Sequence, residues 1–193
     1  MDNNSRRQFL IRSATGLGGA WLTLHWPAIL DAQDHSREAA NSTTAPAFQF
    51  FSPDQAAEVE AVAAQIIPAD DTPGAREARV IYFIDRALVT FDKEKQPAYV
   101  QGVRGLKDAT CKLFPTAKTF VELNSPQQIQ VLRAIETSAF FELVRLHTIM
   151  GFFASPEYGG NYNHAGWKLI GLADEMTYEP PFGYYDTEYD KGQ

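Results

Sequence analysis

The sequence has almost no cysteine and little histidine. Its one cysteine, Cys111, excludes an intramolecular disulfide, a four-cysteine zinc site and an iron–sulfur cluster held by this chain alone. No Cys-x-x-Cys-His run is present, so no c-type haem is attached here. Of the four histidines, His25 and His35 precede the globular part, leaving His147 and His164. Four residues after His147 stands Gly151, not a second metal ligand. A Gly-x-Ser-x-Gly elbow, a phosphate loop and a His-Glu-x-x-His run are all missing. The glycines Gly16, Gly18 and Gly19 follow no strand and form no dinucleotide loop. Clustered basic residues are lacking too, and a formal net charge of -7 with a pI near 5.1 argues against a nucleic-acid partner. Catalytic, metal-binding and cofactor-binding residues are therefore all assigned as none.

A core is what the sequence does have. Its 193 residues suit one domain, 45% of them are hydrophobic, and an aromatic share of 12% is too high for a disordered chain. The beginning reads differently. Ser5, Arg6, Arg7, Phe9 and Leu10 fall in the register of Arg-Arg-x-Phe-Leu and resemble a bacterial twin-arginine signal. The apolar stretch from Ala14 to Leu30 is broken by Gly16, Gly18, Gly19, His25 and Pro27. It falls short of the roughly 20 apolar residues of a stable spanning helix. Residues 1–32 thus read as an export signal, with an amphipathic helix carrying two incidental arginines as the alternative. The twin-arginine route carries cargo that is already folded.

Residues 33–50 read as a linker, 51–173 as a helical domain and 174–193 as a tail. Ser52-Pro53-Asp54-Gln55 supplies an N-cap serine, a proline at the first helical position and a glutamine three residues on. Val59, Val62, Ala63 and Ile66 then mark one apolar face, and Pro68 ends that helix. Thr72-Pro73, with Asp70 and Asp71 capping it, predicts a second helix start before Val80, Phe83, Ile84, Ala87 and Leu88. Pro97 opens a third helix with Tyr99, Val103, Leu106, Thr110 and Leu113 on one side, stopped by Pro115. Ser125-Pro126-Gln127-Gln128 repeats the capping chemistry ahead of Ile129, Leu132 and Ile135. A fifth helix is expected from Ser138 to Phe153, with Phe141, Val144, Thr148 and Phe152 inward. No sustained two-residue alternation or Asn-Gly turn appears, so the fold class is all-α: a small bundle of about five helices.

Beyond Phe153 the helical period fades into a glycine- and aromatic-rich loop. The tail carries Asp174, Glu175, Glu179, Asp186, Glu188 and Asp190 among five aromatic rings, and suits a segment that gains order against another surface. Within the domain, His147 is expected to be structural or on the surface, and Cys111 a buried, inert thiol. His164 has either a binding role or a local backbone bond.

Two stretches are distinctive together: Ile66-Ile67-Pro68-Ala69-Asp70-Asp71-Thr72-Pro73-Gly74-Ala75-Arg76-Glu77-Ala78, and Gly151-Phe152-Phe153 with Pro156-Glu157-Tyr158-Gly159-Gly160-Asn161 and Gly166-Trp167-Lys168-Leu169-Ile170-Gly171. From about Ser52 to Leu172 the chain resembles the gluconate 2-dehydrogenase subunit 3 family, the small subunit of membrane-associated sugar dehydrogenases. The resemblance implies a non-catalytic subunit beside a large flavoprotein dehydrogenase of the glucose-methanol-choline type, which holds FAD, and a multihaem cytochrome c subunit, which holds haem c. It also implies a role in maturation, in export through the twin-arginine translocase to the periplasm, and in assembly of a membrane-associated complex.

Paired glycines allow close backbone approach, and tyrosine and tryptophan offer broad contact area at low entropic cost. Glu157, Tyr158, Gly159, Gly160, Asn161 and Trp167 are accordingly the expected partner-contact residues. The same loop could instead cap the bundle, with Trp167 as its plug. Two other classes stay open: a stand-alone enzyme using His164 with Glu157 or Asp174, and a free periplasmic binding module.

Overall fold

A computed structural model describes residues 47–172, and among these residues every regular element is helical. The expected signal, most of the expected linker and the acidic tail lie outside the described residues. Helix α1, Pro53–Ile66, begins with the expected capping box: Ser52 Oγ accepts from Gln55 N at 3.3 Å, and Gln55 Oε1 accepts from Ser52 N at 3.1 Å. Its buried face carries Val59, Val62 and Ala63.

The second helix does not start at Thr72-Pro73. Asp70 Oδ1 accepts from both the backbone N–H and the hydroxyl of Thr72, each at 2.9 Å, so this aspartate closes a local turn rather than capping a helix. One helical turn follows from Gly74 to Ala78, and Arg79 then enters the left-handed region at φ 54°. Arg79 N donates to Arg76 O and Val80 N to Ala75 O, both at 3.0 Å, the bonding of a Schellman closure. Helix α2, Val80–Val89, begins only after that break. Val80, Ile81 and every residue from Phe83 to Leu88 are buried, so α2 is the central helix, apolar on nearly every side.

Helix α3, Gln96–Leu113, turns Tyr99, Leu106 and Thr110 inward, whereas Leu113 is exposed. Helix α4, Ser125–Ile135, is capped by Asn124, one residue before the expected Ser125. Its side chain accepts from Gln127 N at 3.0 Å, and Gln127 Oε1 accepts from Asn124 N at 3.1 Å. Gln128, Val131 and Leu132 turn inward, Gln128 donating to Phe120 O at 3.1 Å, and Ile129 is exposed. Helix α5, Ala139–Phe153, is capped by Ser138 and buries Phe140 rather than Phe141, together with Val144, His147, Thr148 and Phe152. A sixth, short helix α6, Ala165–Leu169, lies in the segment expected to lack helical period. Cys111 is exposed, not buried.

Helix α2 packs most extensively on α5 and then on α1, while α3 packs against α4 and α5. The last residues counted with the linker belong to this core. Phe48 stacks on Tyr82 with ring centroids 5.0 Å apart, and Phe50 packs against the buried cluster. No described helix is long and apolar enough to cross a membrane.

Candidate functional site

The loop after α5 is seated by its own polar atoms. Asn161 is fully buried, donates from Nδ2 to Ala154 O at 2.9 Å and accepts from Gly166 N through Oδ1 at 2.8 Å. One side chain thus ties the start of the loop to the start of α6. Trp167 Nε1 donates to Phe153 O at 2.8 Å, and Tyr162 N donates to Ala78 O at 3.0 Å. The Arg79 guanidinium lies 3.7 Å above the centre of the Tyr162 ring. The left-handed Arg79 that delays α2 therefore also grips the loop.

Backbone strain is concentrated here. Asn161, Asn163 and His164 all have positive φ, and among non-glycine residues only Arg79 shares that feature in the described chain. Each such residue costs on the order of 1 kcal/mol, so the surrounding contacts must hold the conformation. Gly160 packs on the backbone carbonyl of Gly151, where a Cβ would meet that carbonyl's carbon at 2.8 Å. His164 stacks on Trp167, with centroids 5.2 Å apart.

The expected contact residues divide into two groups. Gly160 and Asn161 are buried and build the loop from within, whereas Glu157 is exposed and Tyr158, Gly159 and Trp167 are half-buried. Trp167 plugs inward through its N–H, so the capping arrangement is real, and the rim remains open for contact. An adjoining cleft of about 400 Å³ is lined by Glu77, Tyr162, Asn163 and Lys168 among others, but by neither His164 nor Glu157. Asp174 lies outside the described residues. Among the described residues no group of histidine, cysteine and acidic side chains is arranged to hold a metal ion.

The sequence reading missed a polar chain, largely buried, between α3 and α5. Tyr99 Oη lies 2.9 Å from His147 Nδ1, and His147 Nε2 lies 3.0 Å from Asp92 Oδ2. An ionised Asp92 only accepts, so Nε2 carries the proton and Nδ1 accepts from the tyrosine hydroxyl. Burial lowers the His147 pKa, partly opposed by the bond to Asp92. Burial likewise pushes Tyr99 well above the ordinary phenol range. The unfolded ring titrates near pH 6.5, so below about that value the unfolded chain binds a proton that the folded chain resists. Stability contributed by neutral His147 is complete above that pH and falls as the medium is acidified toward the lower folded value. In thermal scans from pH 7 down to 5.5, the wild type should lose stability relative to His147→Gln, whose amide can accept from Tyr99 and donate to Asp92 without titrating. Glu58 and Glu60, raised by burial, contribute slopes of the opposite sign that are common to both proteins. Parallel pH profiles would contradict the assignment.

A second missed pair is Asp85-Arg86 in the middle of apolar α2. The Asp85 carboxylate accepts from the backbone N–H groups of Gln49, Phe50 and Phe51 at 2.7, 3.0 and 2.9 Å. Arg86 is 7% exposed and reaches beneath Gly159. Two adjacent charges inside the run Val80–Val89 were visible in the sequence, and their burial on a central helix was the signal to follow.

Comparison with known proteins adds one match. A family model described as gluconate 2-dehydrogenase subunit 3 matches residues 53–173. No curated protein matches the chain, and no solved structure does.

Proposed function

Because the chain belongs to the gluconate 2-dehydrogenase subunit 3 family, we propose that it is the non-catalytic small subunit of a flavin-dependent sugar or sugar-acid dehydrogenase complex. In this reading a large flavoprotein of the glucose-methanol-choline type holds FAD and oxidises the substrate, and a multihaem cytochrome c takes the electrons. The small chain brings the twin-arginine signal at Arg6 and Arg7, supports folding of the large chain before export, and stays with it in the periplasm.

The observation that carries this reading is the loop from Ser155 to Trp167, which lies within the family-matched segment and presents a held surface. Its strained residues and its seat on α5 fix a rim of Glu157, Tyr158 and Trp167 in place before any partner arrives. A fixed aromatic rim gives up little conformational entropy on association. Exposed apolar side chains add area for contact: Leu146, Ile149 and Met150 on α5, and Leu169, Ile170 and Leu172 at and beyond the end of α6.

The test is capture of a tagged full-length chain from its native cell. A large yellow protein that reduces a dye when given sugar or sugar acid should elute with it, and the small chain alone should show neither flavin absorbance nor turnover. Elution of the chain by itself, or sugar-dependent dye reduction by the isolated chain, would overturn the proposal.

A further inference from the structure

Arg86 is a cation in a helix that is otherwise apolar on nearly every side. Its neighbour Asp85 contributes counter-charge, but that carboxylate's hydrogen-bonding capacity goes to three backbone N–H groups from residues 49–51. The guanidinium enters no salt bridge among the described residues, and its Nη1 is buried with no hydrogen-bond partner there. Buried guanidinium groups are ordinarily matched by a carboxylate that takes two of their five donors. Arg86 therefore carries an unmet demand for an anion.

Directly over Nη1 lies Gly159, at φ 97°. A Cβ at that position would stand 2.8 Å from Nη1 and 3.4 Å from Cδ of the same arginine. The residue covering the cation is thus one with no side chain, in a backbone conformation that other residues avoid. It closes the Pro156–Tyr158 turn, whose outer face is exposed at Glu157. Displacement of this backbone would open Nη1 to the loop rim, with no side chain at 159 to obstruct an approaching group. Desolvation also presses the Arg86 pKa below its ordinary value, opposed in part by the charge of Asp85.

We propose that Arg86 and the bare backbone at Gly159 form a carboxylate-binding site, occupied when an incoming carboxylate displaces the Gly159 backbone from Nη1. The planar guanidinium fork suits a carboxylate bound through both oxygens. Two sources share this chemistry: the run of six acidic residues between Asp174 and Asp190 of this same chain, and a carboxylate brought from outside it. The site does not depend on the subunit reading above.

The test uses the full-length protein and acetate as the probe. Thermal unfolding is followed in sodium acetate against sodium chloride at equal ionic strength for three proteins. These are the wild type, Arg86→Gln, and a full-length variant in which Asp174, Glu175, Glu179, Asp186, Glu188 and Asp190 are changed to Asn or Gln. With an outside source, acetate should raise the wild-type Tm by about 4 °C or more, and Arg86→Gln should not respond. With the chain's own acidic run as the source, the wild type should be indifferent and the neutralised variant should respond. Failure of both proteins to respond, or an equal response from Arg86→Gln, would overturn the site. If Arg86→Gln does not fold, side-chain nitrogen resonances of labelled arginine decide. One arginine should shift saturably with acetate in the wild type or in the neutralised variant, and no such shift in either overturns the proposal.

Discussion

Asp85→Ala is expected to lower stability by about 3–4 kcal/mol, which in a domain of this size is a fall of about 10–15 °C in Tm. Three backbone N–H groups, those of Gln49, Phe50 and Phe51, donate to that one carboxylate. Bonds to a charged acceptor contribute more than neutral ones, and the Phe51 N–H is buried, so alanine leaves it without a partner and without water. The loss spreads through packing. Phe51 meets the Tyr99 ring edge-on at 5.7 Å and Phe48 stacks on Tyr82, so releasing this strand of chain uncovers aromatic surface on both α2 and α3. Removing the carboxylate also leaves Arg86 with no anion beside it. Limited proteolysis should cut the variant near residues 47–52 at temperatures where the wild type resists. A Tm within 3 °C of wild type would show that the segment is held by its rings and not by Asp85.

Local rules made much of this fold legible. The Ser52–Gln55 capping box, the inward Val59–Val62 face and the prolines that bound α3 each act within a few residues, and each stands where the sequence puts it. Errors arose where a signal had two valid readings. Asn124-Ser125-Pro126-Gln127-Gln128 contains two cap-competent residues, each three before a glutamine; Asn124 takes the cap with Gln127, Gln128 turns inward to donate to Phe120 O, and Leu132 stays inward while Ile129 is exposed. Thr72-Pro73 carries the composition of a helix start, but the chain makes one turn and closes at Arg79, whose guanidinium lies over the ring of Tyr162, eighty-odd residues away. Periodicity could not separate Phe140 from Phe141, because both lie next to the inward edge of α5 and the neighbouring Tyr99 ring decides between them.

The site was half legible. Glycines, aromatics and asparagines marked the loop as special, yet composition could not divide builders from rim. That division rests on Asn161 turning inward to reach Ala154 and Gly166. Tyr99, Asp92 and His147 come from three separate stretches, joined only once α3 crosses α5, so no local pattern could announce them. Asp85 and Arg86 were the readable clue that went unread, since a charged pair inside a helix buried on all sides must find partners elsewhere.

Gly160→Ala tests whether the seat of the loop matters to a partner. The added Cβ would collide with the Gly151 carbonyl, 2.8 Å from its carbon and 3.1 Å from the Cα. Those are helix backbone atoms of α5, which cannot rotate aside as a flexible side chain would, so the loop itself must lift. Lifting it stretches both Asn161 bonds and the Trp167 bond to Phe153, and removes the contacts that sustain three left-handed residues. The expected cost is about 3 kcal/mol, or about 10 °C in Tm, with new proteolytic cuts between residues 155 and 166. Helices α1 to α5 share a core that the loop only caps, so the variant should retain its helical circular dichroism at 20–25 °C. Under those conditions capture of the proposed large flavoprotein should fall at least tenfold, because the Glu157–Tyr158–Trp167 rim is no longer held in one shape. Weakened stability with undiminished capture would make the loop an internal cap alone and move the partner surface to the exposed apolar side chains of α5.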